Sequence, residues 1–351
     1  MSSSPTVSSS AASLPVVQAQ ALGPLWPTMD PFLFCAHHDD AYPAGNGAFA
    51  PAVSLEGRQI GSDFSRKDGW SMYHGDTVPG FPGHPHRGFE TVTLVRKGLI
   101  DHSDSLGAAA RFGGGDVQWV TAGKGIVHSE MFPLLNATEP NPLELFQIWL
   151  NLPAKNKMVE PHFTMLWNEQ VPRTTLRDAQ GRAAEVTVVA GRFGELQPPA
   201  PPPDSWAAQP QADVAIWTLR LDPGAQLTLP AAAGADTRRT LYFFKGARAT
   251  VAGREVQGPV AIAVLAGVPI DVTAGGEVCE FLVLQGRPIA EPVAQYGPFV
   301  MNTQAEIMQA MTDYRRTQFG GWPFGDAAPV HGTDPKRFAR YPDGRTETPA
   351  G

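Results

Sequence analysis

Short apolar runs broken by glycine and proline dominate the chain, and no long amphipathic helical period competes with them before the C-terminal region. Phe89, Thr91, Val92, Thr93, Leu94 and Val95 form a run rich in β-branched and aromatic residues, which predicts a strand. Residues 116 to 120 predict a second, and Gly123-Lys124-Gly125 turns the chain into Ile126, Val127 and His128. The triplet Gly113-Gly114-Gly115 lacks the Gly-Lys-Ser/Thr ending of a phosphate loop and is read as the turn before a strand.

A loose internal repeat points to two similar halves. Thr93-Leu94-Val95-Arg96-Lys97-Gly98 echoes Leu241-Tyr242-Phe243-Phe244-Lys245-Gly246, and residues 117 to 123 echo 260 to 267. Apolar patterning lapses after Leu152, at Pro153, Pro161 and the polar stretch 168 to 184, so the halves are expected at 30–165 and 170–290. The prolines at 198 to 203 read as a surface loop. Thr303-Gln304-Ala305-Glu306 has the form of a capping box. Ile307, Ala310, Met311 and Tyr314 then make a helical stripe within a C-terminal segment, 291–322, that should pack on a barrel. Residues 1–29 are expected to be a disordered leader and 323–351 an irregular tail.

Composition narrows the function classes. With 36 glycines and 34 prolines in 351 residues, 42% hydrophobic and 17% charged, the chain suits an all-β globular protein with many turns. A formal charge of -7 offers no electrostatic footprint for direct nucleic-acid binding. Cys35 and Cys279 are the only cysteines, too few for a disulfide framework or a thiolate cluster, and are read as buried thiols. No run of about 18 apolar residues could span a bilayer, and the first 29 residues lack the charged and apolar regions of a signal peptide. A cytoplasmic location, with no membrane partner, is the simplest expectation.

The candidate chemistry lies in two dipeptide spacings. His84-Pro85-His86 and His128-Ser129-Glu130 each place two metal-competent side chains at i and i+2, on one face of a strand. On facing strands they would offer three imidazoles and a carboxylate to one ion and leave open positions for other ligands. His74 could line a pocket mouth, whereas His37, His38 and His102 are expected to be exposed. Phe89, Trp119, Phe132 and Phe146 are expected in the barrel core.

The run from His84 through Arg87-Gly88-Phe89-Glu90-Thr91-Val92-Thr93, followed by Gly115-Asp116-Val117-Gln118-Trp119 and Thr121-Ala122-Gly123-Lys124-Gly125-Ile126-Val127-His128-Ser129-Glu130-Met131, resembles the signature of the pirin family of bicupins. Residues 147 to 155 and 297 to 303 agree with it, so the resemblance spans roughly 30 to 322. It implies two tandem cupin barrels, each a double-stranded β-helix or jelly roll, and one Fe(II) per chain held by His84, His86, His128 and Glu130, with other divalent metals acceptable to the same donors. Glu90, at the carboxylate position of the general cupin motif, is not expected to be a ligand. The activity implied is quercetin 2,3-dioxygenase-type opening of a small aromatic substrate with O2, with Glu130 as general base. The alternative, from eukaryotic members, is an iron-dependent, redox-switched partner of a transcription or metabolic regulator. Laying Gly98 on Gly246 and Gly123 on Gly267 places Ala232, Gly234, Val272 and Ala274 at the four ligand positions, and no histidine occurs between His162 and His331. The second half is therefore expected to be metal-free.

Overall fold

The computed structural model describes residues 15–350, so the part of the leader expectation that falls on 1–14 lies outside the described residues. Strand β1 (Val16–Ala21) precedes the first barrel, made of β2 (Phe32–Asp40), β3 (Gly80–His86), β4 (Phe89–Lys97), β5 (Leu99–Asp104), β6 (Ala109–Gly113), β7 (Val117–Thr121), β8 (Ile126–Met131), β9 (Leu143–Asn151) and β10 (His162–Leu166). The second barrel comprises β11 (Arg173–Arg177), β12 (Ala183–Ala190), β13 (Ala215–Leu221), β14 (Gln226–Leu229), β15 (Arg238–Lys245), β16 (Arg248–Val251), β17 (Arg254–Gln257), β18 (Val260–Leu265), β19 (Ile270–Ala274) and β20 (Cys279–Gly286). A hairpin of β21 (Ala294–Tyr296) and β22 (Phe299–Met301), helix α1 (Gln304–Thr317) and the short strands β23 (Phe338–Arg340) and β24 (Thr346–Glu347) follow.

Each half is a pair of antiparallel sheets closed around its own core, the all-β, two-cupin architecture. In the first half the order β10-β7-β4-β9-β2 faces β24-β23-β6-β5-β8-β3; in the second, β1-β18-β15-β20-β13-β12-β11 faces β14-β19-β16-β17. A third apolar layer joins the halves. Val92 and Leu94 of β4 meet Tyr242 of β15 and Leu282 of β20 there, while Val95 belongs to the first barrel's own core. Both faces of β4 are buried, which is why its apolar pattern runs nearly unbroken rather than alternating.

Strands at 16–21, 338–340 and 346–347 correct the leader and tail expectations over those residues. β1 pairs with β18, and Trp26 is buried against Tyr242, ring centroids 5.2 Å apart. β23 pairs with β6. Among the described residues the first strand thus joins the second barrel and the last two join the first. Neither strand was visible in the pattern, because β1 exposes five of its six residues and β23 is three residues long. Strands like these are held chiefly by main-chain hydrogen bonds, which leave little trace in side-chain polarity.

Helix α1 has the capping box, Thr303 and Glu306 each serving the other's backbone N–H. Ile307 and Ala310 share an apolar cluster with Phe299 and Met301 of the β21–β22 hairpin, Phe319 and Val127, so the helix packs on the hairpin and the turn after it, at Phe319, lies against β8 of the first barrel.

The registers also refine how the halves superpose. His128 pairs with His84 and Asp104, as Val272 pairs with Leu227 and Val251, so Val272 does occupy the His128 position and Ala274 that of Glu130. The His84 and His86 positions, however, fall on Leu227 and Leu229, not on Ala232 and Gly234. The slip arises because eight residues separate β14 from β15 where two separate β3 from β4. Leu227, Leu229, Val272 and Ala274 all belong to the second barrel's hydrocarbon core.

Glu90 is fully buried and accepts hydrogen bonds from Thr121 (2.7 Å) and Ser205, away from the histidines. Burial pushes its carboxyl up to about 7, against the pull of the Ser205 and Thr121 hydroxyls. Between its ordinary 4.5 and 7 only the folded chain keeps this proton, so the group's contribution to stability is present below 4.5 and lost as pH rises to 7. Glu90→Gln cannot ionise; its melting temperature relative to the wild type should climb between those two pH values by the equivalent of about 3 kcal/mol. A difference independent of pH, measured by calorimetry, would contradict the burial argument.

Candidate metal centre

The centre is built on β3 and β8, which pair so that His84 stands opposite His128. The register shifts between Phe81 and His84, one extra residue on β3, and this bulge brings His84 into line with His128. His84, His86 and His128 each offer a ring nitrogen within 4.8 Å of the others, and the ring centroids lie 4.5 to 4.8 Å apart. Among the described residues they are the group of ligand-type side chains that could hold a metal.

The hydrogen bonds decide what the rings are for. His84 Nδ1 donates to the Pro82 carbonyl at 2.9 Å, which leaves Nε2 as its free lone pair. His128 is fully buried, and neither of its nitrogens has a hydrogen-bond partner among the described residues; His86 Nδ1 is likewise unpartnered. Orphaned buried nitrogens carry the full cost of lost hydration. One nitrogen from each of the three rings can converge on one point, and a cation there accounts for rings buried without enough hydrogen-bond partners. Burial holds His84 down to about 4 and, reinforced by the neighbouring imidazoles, His86 and His128 well below the usual value. All three are therefore neutral at pH 7, the form a metal requires.

Glu130 follows two residues after His128, is buried, and lines the same cavity, but its carboxylate is engaged by neighbours. Gln147 Nε2 donates to Oε2 at 2.7 Å, and Thr93 Oγ1 lies 2.9 Å from Oε1 and 2.7 Å from Gln147 Oε1. One hydroxyl proton cannot serve both oxygens. With a proton on Glu130 the ring closes, Glu130 donating to Thr93, Thr93 to Gln147 and Gln147 back to Glu130. Burial raises the Glu130 carboxyl above its usual range, against His102 and these hydrogen bonds.

A cavity of about 930 Å³ opens from this point. Phe34, Tyr73, Phe81, Phe132 and Trp149 give it aromatic walls, and His74 is among the residues that line it. Phe132, Phe89, Trp119 and Phe146 are all buried. His37 and His38, expected to be exposed, are half-buried on the cavity wall. His102 is fully buried, its ring edge-on to His128 at 5.5 Å and its Nε2 3.1 Å from Asp104. The polar sequence of β5 concealed this, because Asp101 is paired with Arg111 and His102 Nε2 with Asp104 rather than with water, while His102 Nδ1 has no partner among the described residues. The i, i+2 spacing of His102 and Asp104, the same as in the ligand pairs, was the available signal. Nothing in the sequence singled out Thr93 or Gln147.

Family comparison agrees with this geometry. Residues 17–150 match the pirin family profile and 216–320 that of the pirin C-terminal cupin domain. A protein of Pseudomonas aeruginosa, provisionally named a quercetin 2,3-dioxygenase, is 38% identical over 67% of this chain and 78% of its own. The chain belongs to the pirin family. A pirin-like protein of Solanum lycopersicum is 35% identical over 67% of this pirin and 75% of its own length. The crystal structure of a quercetin 2,3-dioxygenase from Acinetobacter baumannii superposes with a TM-score of 0.66 at 27% identity, covering 88% of this pirin and 96% of that chain. No helix among the described residues of this pirin is long and apolar enough to cross a membrane.

Proposed function

We propose that this pirin is an iron-dependent dioxygenase that opens flavonol-type or related enol and phenol substrates with O2. The observation that carries the reading is the junction of an open, aromatic-walled cavity with three neutral imidazoles and a buried carboxylate. A partner-binding switch needs a charged surface patch beside the metal, whereas a substrate needs such a pocket. Among the lining residues Arg66 is the one arginine, no lysine occurs, and Glu130 is the one carboxylate.

His84, His86 and His128 would hold the ion, with Glu130 completing the set. Iron held there would supply the one-electron chemistry that dioxygen needs. The same N and O donors accept nickel, copper, cobalt, manganese or zinc, so metal identity rests with availability as well as affinity. The aromatic walls orient a flat substrate and exclude water from its reacting edge. Glu130 takes the substrate hydroxyl proton, and the closed ring with Thr93 and Gln147 then keeps that proton in place.

The test is metal analysis of protein purified without added metal, combined with oxygen uptake on a flavonol panel. One iron per chain and uptake tied to ring opening are expected. Fully iron-loaded protein that consumes no oxygen with flavonols or related enols, yet changes affinity for a protein partner between ferrous and ferric forms, would replace this reading with the redox switch.

A further inference from the structure

Strand β3 carries two of the three histidines, yet it is the last strand of its sheet and has a strand neighbour, β8, on one side alone. An edge strand with a bulge is the place where register is most easily lost. Its outer edge is met by other segments at three points. Gly80 exchanges hydrogen bonds with Met72 and His74, and Arg87 with Pro298 and Val300. Between these, inside the bulge and next to His84, the Gly83 N–H donates to the Ala327 carbonyl at 2.7 Å.

Ala327 is presented by a built turn. Trp322 Nε1 donates to the Asp326 carbonyl at 2.8 Å, and the Trp322 ring packs beside the α1 cluster. A little further on, the same segment is fastened to β5, where the His331 N–H donates to Asp101 and its ring is hydrogen-bonded to the His102 carbonyl at 2.8 Å. Arg111 ties Asp101 to the Asp334 carbonyl. Residues 322 to 334 therefore form a strap across the metal-bearing sheet, and they lie beyond residue 320, where the family match ends.

We infer that this strap is a metal-retention device in which Trp322 and the Ala327 carbonyl are positioning elements for His84, holding the β3 bulge so that its imidazole stays aimed at the ion. The inference rests on the proposed metal-binding role of the three histidines. It does not depend on turnover.

The experiment measures iron release from the loaded protein into a ferrous chelator, and hydrogen exchange of the β3 amides in metal-free protein. Gly83→Pro removes the donor, and Trp322→Ala removes the turn that presents the acceptor. Gly83→Ala is the control, because its Cβ would meet Ala327 O at 3.5 Å and the Trp322 ring at 3.7 Å, ordinary contact, with the N–H retained. Both disruptive variants should release iron roughly tenfold faster, the factor one hydrogen bond is typically worth. Their β3 amides should exchange faster while the global melt stays cooperative, and Gly83→Ala should match the wild type. Release and exchange at wild-type rates in either disruptive variant would overturn the inference. If the wild type binds no metal but β3 exchange rises in both, the positioning role stands and the metal reading falls.

Discussion

His128→Ala is expected to abolish stoichiometric metal binding while the protein still folds. The imidazole is wholly buried with both nitrogens unpartnered, so its removal takes away a ligand and leaves the fold with no broken hydrogen bond. Two imidazoles remain, both on the edge strand β3. Affinity should fall by well over the roughly 100-fold that follows from losing a group that merely supports a ligand. Because the apolar cores of the two barrels, and not an ion, hold the domains, the variant should keep its circular dichroism spectrum and a cooperative melt. Equal metal content in wild type and variant after dialysis, by elemental analysis, would sink the assignment.

Glu130→Gln should lower kcat on a flavonol by about 10²–10⁴-fold, the usual range for losing a positioned general base. The amide keeps the size and an oxygen donor, so binding of the substrate should change much less than turnover. The pH profile carries the sharper signature. A carboxylate acts as base only when deprotonated, and burial raises this one above its usual range, so wild-type activity should rise with pH through that raised value. The glutamine variant has no such group and should lose the acidic limb. A variant that keeps wild-type kcat, or keeps the limb, would remove Glu130 from the chemistry.

Much of this was legible in the sequence because the signals were local. The i, i+2 spacings nominated His84, His86 and His128, which the structure brings together, and Glu130, which it places against Thr93 and Gln147 instead; β4 declared itself through its β-branched and aromatic run. What stayed hidden depends on neighbours distant in sequence. His102 reads as a solvent-facing residue because its partner Asp104 and the Asp101–Arg111 pair that bury this polar strand belong to the folded sheet and not to the local pattern. Thr93 and Gln147 converge on Glu130 from β4 and β9, a meeting that no spacing announces. The second half kept its Val272 and Ala274 register but lost two positions in the loop after β14, where a repeat of different length cannot be aligned by eye.

The exchange of terminal strands sets a timetable for synthesis. When the ribosome has made residue 166 every strand of the first barrel's own segment exists, yet the outer edge of β6 is bare until residues 338–340 emerge to pair with it. The second barrel, by contrast, finds β1 already waiting when β18 appears. The barrel that carries the histidines thus has its own segment complete long before its sheet is finished, and both Ala327, which grips β3, and the strand that covers β6 arrive only after the second barrel has been made. A nascent chain stalled before residue 322 would present the three histidines on a sheet still open at both edges, so secure loading of the ion should await the emergence of residues 322–340 rather than follow the completion of β10.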